Sequence, residues 1–119
     1  MAAWMRRVRP DRPGLNAVTA ADICELARQG DADALRAVEH EGEYLGLGLA
    51  NLVTLFTPGV IALGGGVMKS SSLFLDRARA VIRRICTQVP SEKTELRLAS
   101  LGADTGLVGA ARAFLHRYE

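Results

Sequence analysis

Ala50-Asn51-Leu52-Val53-Thr54-Leu55-Phe56-Thr57-Pro58-Gly59-Val60-Ile61-Ala62-Leu63-Gly64-Gly65-Gly66-Val67-Met68 reads as the end of a buried helix, a proline stop, a short strand and three glycines. Pro58 disfavours the helical region for Thr57, so the helix ends there. Val60 to Leu63 is a continuous apolar run, the pattern of a central parallel strand covered on both faces. Glycines directly after such a strand leave bare backbone at its carboxyl end, the edge at which open α/β sheets take up ligands.

Upstream, Thr19 with Asp22 three residues on has the form of a capping box and predicts a short helix over residues 20–28. Gly30 ends it, and Asp31 or Asp33 caps a long helix running to Phe56. In that helix Leu35, Val38, Gly42, Leu45, Leu49, Leu52 and Phe56 recur at spacings of three and four and predict one buried face. Its second half is apolar almost all round, which implies burial on several sides. Gly42, Gly46 and Gly48 each cost about 1 kcal/mol of helix propensity relative to alanine, so another backbone or a partner is expected to pack close there. Residues 1–18 hold two of the four prolines and no sustained periodicity; they are read as an irregular or only partly helical segment in front of a domain over residues 19–119. Arg6, Arg7, Arg9 and Arg12 are expected on a solvated, frayed end.

Downstream, Ser70 to Ser72 can cap a helix reaching Thr87, with Phe74, Ala78, Val81, Ile82 and Ile85 as its core face. Residues 95–100 alternate as a strand nearer an edge, and Gly102 to Asp104 turns the chain into a last helix over residues 105–117. The order is α-α-β-α-β-α, an α/β class with a short parallel sheet. Two strands are too few to cover the apolar edge and helix faces, so a further stretch of chain or a second molecule is expected to complete the sheet.

Composition bounds the function. A chain of 119 residues is one modest core, and a net charge of +2 with one tryptophan, two tyrosines and three phenylalanines is not the footprint of a nucleic-acid binder. Cys24 and Cys86 lack metal-site or redox spacing and read as small buried hydrophobes of a reducing cytoplasm. No apolar run reaches the about 18 residues of a membrane span, and no apolar stretch follows the basic start as in a secretory signal.

The glycine loops Gly64-Gly65-Gly66 and Gly102-Ala103-Asp104-Thr105-Gly106 should open on the same sheet edge, each leading towards a helix start that favours anionic or polar atoms. They suit a nucleotide cleft, with Val67 and Met68 walling the base; they also suit two tight strand-to-helix turns. Gly64 to Ser70 is not a phosphate-binding Walker loop, because Met68 stands where glycine must precede the lysine. Nor is it a dinucleotide fingerprint, because Lys69 stands at the third glycine. Gly106 and Gly109 read as packing positions, His40 and His116 as surface residues, and Asp104 as a helix cap. Asn51 needs an amide partner, and Glu39, Glu41 and Glu43 form a solvated face. No catalytic constellation of Ser, His, Asp or Cys is present.

Several of these stretches resemble one family. Thr19 to Asp31, Tyr44 to Pro58 (Tyr-Leu-Gly-Leu-Gly-Leu-Ala-Asn-Leu with a Phe-Thr-Pro stop), Ile61 to Met68 and Leu101 to Ala111 are similar, in order and spacing, to the carboxyl-terminal part of ROK proteins (repressors, uncharacterised frames and sugar kinases). The resemblance implies a partial actin-like, ribonuclease-H-like ATPase lobe in which Gly64, Gly65 and Gly66, with Val67 and Met68, contact adenosine. It implies ATP with magnesium in a complete protein, spent on a hexose or N-acetylhexosamine as in glucokinases, or else a repressor lobe that senses sugar and dimerises. A third expectation is a stand-alone assembly module, a homodimer among its forms. The family's catalytic aspartate, phosphate loops and zinc cluster lie before the matched region, so the expectation is a fragment that is inactive alone.

Overall fold

The computed structural model describes residues 1–118. In chain order it forms α1 (Ala2–Val8), α2 (Ala20–Arg28), α3 (Ala32–Phe56), β1 (Val60–Leu63), a 3-10 segment (Gly66–Leu73), α4 (Leu75–Ile85), a 3-10 turn (Ser91–Lys93), β2 (Glu95–Leu98), a 3-10 turn (Gly102–Asp104) and α5 (Thr105–Tyr118). From α2 onward this is the expected α-α-β-α-β-α order.

The capping signals are used as read. The Thr19 hydroxyl accepts from the Asp22 amide while the Asp22 carboxylate accepts from the Thr19 amide, closing a reciprocal box at the start of α2. Asp31, rather than Asp33, caps α3, its Oδ1 accepting from the Ala34 amide at 2.9 Å. Thr57 ends α3 in the left-handed region with φ 42° and ψ 53°, just before Pro58.

The arginine-rich start is not frayed. Met5 and Leu15 are buried in a cluster with Ile23, Ala34, Val38 and Phe74. Arg12 donates to both oxygens of Asp31 at 2.7 and 3.0 Å, and Arg9 and Arg12 share Asp33 Oδ2 at 2.8 and 3.2 Å. The acidic first turn of α3 attracts them, for a carboxylate pair at a helix start binds a guanidinium fork well. Hydrogen bonds from Arg12 first, and from the Ala34 amide second, lower the Asp31 carboxyl from its ordinary 3.8 to about 2. A lowered acid group stabilises the fold above its ordinary value, and that contribution is lost as pH falls through the folded-state value. Asp31→Asn should therefore flatten the loss of thermal stability as pH drops from 3.8 towards about 2. Equal slopes for variant and unaltered chain in scanning calorimetry would contradict this.

The buried side of α3 keeps Val38, Gly42, Leu45 and Leu49 of the expected face and departs from it elsewhere. The buried positions are Ala34, Ala37, Val38, Gly42, Gly46, Leu49, Ala50 and Val53, while Leu35, Leu52 and Phe56 are exposed. Leu49 and Val53 pack on Ala78 and Ile82 of α4, and the glycines between them and the helix start let α4 lie almost against the α3 backbone. A Cβ at Gly42 would stand 3.0 Å from the Phe74 carbonyl oxygen, and one at Gly46 2.6 Å from Val81 Cβ and 3.0 Å from Ala78 Cα. Gly48, also expected at a close contact, has nothing within 4 Å of such a Cβ. Arg77 and Arg84 on α4 bind the Glu43 carboxylate across the seam, so the acidic face of α3 is tied to α4 rather than merely solvated.

Two glycines on one helix thus predict opposite outcomes. Gly46→Ala should destabilise the chain by about 1–3 kcal/mol through overpacking against atoms fixed to the α4 backbone. Gly48→Ala should stabilise it by up to about 1 kcal/mol through helix propensity alone. Urea denaturation of the two variants beside the unaltered chain reads both signs.

The sheet is β1 and β2 in parallel, in the register Val60↔Glu95 to Leu63↔Leu98. Ile61, Leu63 and Leu96 pack onto a second buried cluster of Leu49, Ala50, Val53, Ala78, Ile82 and Cys86. The opposite face is bare: Val60 is 48% exposed and its neighbour Ala62 is also exposed, so the strand expected to be covered on both sides is covered on one. β2 stops at Leu98, two residues earlier than expected. The serines do not cap α4 either: Ser70 and Ser71 are buried within the 3-10 segment, and α4 begins at Leu75 with Ile85 exposed. Asn51 faces solvent rather than a partner within the fold, and Cys24 and Cys86 are buried free thiols.

Candidate functional site

Because the two strands are parallel and in register, both end at one level, and their following loops emerge side by side. A Cβ at Gly64 would lie 3.4 Å from Ala99 Cβ and 3.5 Å from Thr105 Cγ2, ordinary contact across the two loops. Between the loops opens a cleft of about 170 Å³ lined by Leu63, Gly64, Gly65, Met68, Lys69, Leu98, Ala99 and Gly102. Thr105 Oγ1 donates to the Gly102 carbonyl at 2.7 Å and pins the second loop to the start of α5.

Of the residues proposed from sequence, Gly64, Gly65 and Met68 line this cleft; Gly66 and Val67 lie beside it on the exposed start of the 3-10 segment. Sequence reasoning assigned no role here to Leu63, Lys69, Leu98 or Ala99. Leu98 and Ala99 were findable only through the strand register, which pairs Leu63 with Leu98 and has the Ala99 amide donate to the Leu63 carbonyl at 2.7 Å. Gly65 adopts φ 102° and ψ 169°, a region essentially reserved for glycine. Nothing lies within 4 Å of a Cβ built at Gly65 or Gly66, so the backbone here is open to a flat ligand.

The cleft walls are apolar side chains and glycine backbone, with Lys69 as the one charged residue among them. This suits a heteroaromatic base with a ribose or phosphate oxygen near the ammonium group. Among the described residues no carboxylate lines the cleft, so these residues fit the nucleoside end of a nucleotide rather than its metal-bound phosphates. A larger groove of about 710 Å³ runs past the end of α4, over Ile82, Cys86, Val89, Pro90 and Leu96. It lies at the amino ends of the strands, opposite the edge that open α/β sheets use for ligands.

The ROK family model matches residues 2–117. The chain belongs to the ROK family. A glucokinase from Halalkalibacterium halodurans is 35% identical over 92 residues, which are 77% of this chain and 28% of that protein. A xylose repressor from Bacillus spizizenii is 30% identical over 102 residues, 85% of this chain and 26% of that protein. The crystal structure of a ROK family glucokinase from Streptomyces griseus in complex with glucose and AMPPNP matches with a TM-score of 0.78 and 30% identity, over 94% of this chain and 39% of that one. The α/β order and short parallel sheet are thus part of the actin-like, ribonuclease-H-like fold of ROK sugar kinases. The chain spans between a quarter and two-fifths of the length of these relatives. Among the described residues no helix is long and apolar enough to cross a membrane.

The three loop glycines separate by conformation. Gly65→Ala should cost about 1–3 kcal/mol of stability, because alanine strains the backbone at that φ and ψ. Gly66→Ala, with open space at its Cβ, should leave the thermal midpoint nearly unchanged. A melt in which both variants lose the same stability would show that the loop conformation differs from the one described.

Proposed function

We propose that this chain is the carboxyl-terminal, ATP-binding part of a ROK sugar kinase of the glucokinase type. The observation that carries the reading is the cleft between the two glycine loops, at the carboxyl ends of two parallel strands, with open backbone at Gly65 and Gly66. The likeness to a glucokinase crystallised with glucose and AMPPNP supports it. In this reading the Gly64 to Gly66 backbone lies against adenosine, and Met68 and Val67 wall the base. Lys69 offers an ammonium group to the ribose or to a phosphate oxygen.

A complete kinase positions phosphates, magnesium and a sugar hydroxyl together, and phosphoryl transfer depends on that positioning. The side chains lining this cleft supply neither a general base nor a metal ligand. ATP with magnesium, and a hexose or N-acetylhexosamine, therefore belong to the whole protein, in which the preceding lobe completes the cleft. The exposed apolar surface fits such a partner: Leu55 is 73% exposed, Phe56 71% and Leu107 74%. The same surface suits a second copy of the chain.

The xylose repressor relatives favour a second reading, in which the equivalent lobe senses sugar and dimerises. The coding sequence immediately upstream discriminates: intact phosphate loops and a catalytic aspartate select the kinase, and a helix-turn-helix module selects the repressor.

Calorimetric titration with ATP should show binding by the chain, weakened about ten-fold in Gly66→Ala because the added methyl group blocks approach to the backbone, a loss of about 1.4 kcal/mol. A coupled hexose phosphorylation assay on the same sample should stay at the buffer blank. Equal ATP affinity in the variant would remove adenosine from the glycine loop, and turnover above the blank would overturn the inactivity of the chain alone.

A further inference from the structure

The glycine strand is followed by a 3-10 segment, Gly66–Leu73, made of two short turns that meet at a kink at Ser70. Each turn is of ordinary 3-10 length; the segment needs fixing from outside at the kink. At its far end it is held by Phe74, which is fully buried and whose amide donates to the Ser71 carbonyl at 3.1 Å. At its near end the Met68 amide donates to the Gly65 carbonyl at 3.1 Å. In the middle, Ser70 leaves the helical region, at φ −109° and ψ 20°, with its side chain buried.

That buried hydroxyl is met from another element. Arg28, in the last turn of α2, directs Nη2 to Ser70 Oγ at 2.9 Å and Nη1 to Glu25 Oε2 on its own helix at 3.2 Å. One arm of the guanidinium fork is thus anchored on α2, and the other reaches a residue 42 positions away in sequence. Arg28 does not itself line the cleft, but Ser70 follows Lys69 and lies two positions from Met68, both of which do.

We infer that Arg28 is a positioning residue for the glycine loop: through Ser70 it fixes the bend of the 3-10 segment and so sets where Met68, Lys69 and the Gly64 to Gly66 backbone stand. The consequence for ligand affinity rests on the reading of this cleft as the nucleotide site. The planar fork suits the task because Glu25 orients it before it reaches Ser70, so little freedom is lost in making the second bond. Without it, the buried Ser70 hydroxyl loses its partner and the bend loses its brace.

Hydrogen–deuterium exchange on peptides spanning Leu63 to Lys69 tests this in the unaltered chain, Arg28→Ala, Arg28→Lys, Ser70→Ala and the Arg28→Ala/Ser70→Ala double variant. Arg83→Ala serves as a surface-arginine control. Exchange of the loop amides should rise about five-fold in each alanine variant at Arg28 or Ser70. It should rise no further in the double variant, recover most of the way in Arg28→Lys, and stay unchanged in Arg83→Ala. Unchanged loop exchange in Arg28→Ala, or a rise spread evenly over α3 and α4, would overturn the inference. ATP titration of the same samples should show a parallel weakening of about five-fold in Arg28→Ala and Ser70→Ala. Failure of ATP to bind the unaltered chain counts against the nucleotide reading alone, since the exchange result decides the positioning role either way.

Discussion

The close approach of α4 to α3 at Gly42 and Gly46 is the constraint on which the rest of the chain depends. With glycine at both places, Phe74, Ala78 and Val81 lie almost on the α3 backbone, and the two buried clusters form at either end of that contact. One cluster gathers α1, α2 and the start of α3 around Phe74. The other joins the second half of α3 to α4 and the sheet. The first ties down the end of the 3-10 segment and the second supports the strands, so the glycine loop between them inherits its position from both.

The short ion pairs reinforce the same frame at its surface. Arg9 and Arg12 bind the acidic first turn of α3, and Arg77 and Arg84 bind Glu43 across the seam. Exposed pairs of this kind add little stability individually. Their contribution is directional: they select which way the N-terminal segment lies over α3 and which rotation α4 takes about its own axis.

Much of this was legible in the chain itself, and the failures have physical reasons. Helix limits were readable wherever a side chain caps a helix (Thr19 and Asp22, Asp31) or proline forbids it (Pro58). The helix face of α3 was read in part: Val38, Gly42 and Leu49 are buried and Leu45 packs on both clusters, but hydrophobic periodicity follows large residues, so the buried Ala34, Ala37, Gly46 and Ala50 were passed over while Leu35, Leu52 and Phe56 lie on the outside. The start of α4 was misplaced because serines signal caps, while here Ser70 and Ser71 are buried inside a 3-10 segment. The apolar run Val60 to Leu63 suggested cover on both faces, yet sequence cannot say which stretch of polypeptide supplies the second cover. Gly64, Gly65 and Met68 were legible as one wall of the cleft. Leu98 and Ala99 on the other wall were not, because only the register of two distant strands brings them there.

The parallel pairing is also coupled to the helical seam through the path of the chain. β1 and β2 pair Val60 with Glu95, about 35 residues apart, and the seam sets Gly46 of α3 against Val81 of α4 across the same separation. Loop closure of that size costs entropy before any contact rewards it. The two contacts are staggered along the chain, α4 lying between the strands, so closing one shortens the loop left for the other. The two glycine loops therefore share their closure with the docking of α4 on α3, and what parts the helices also draws the strand ends apart.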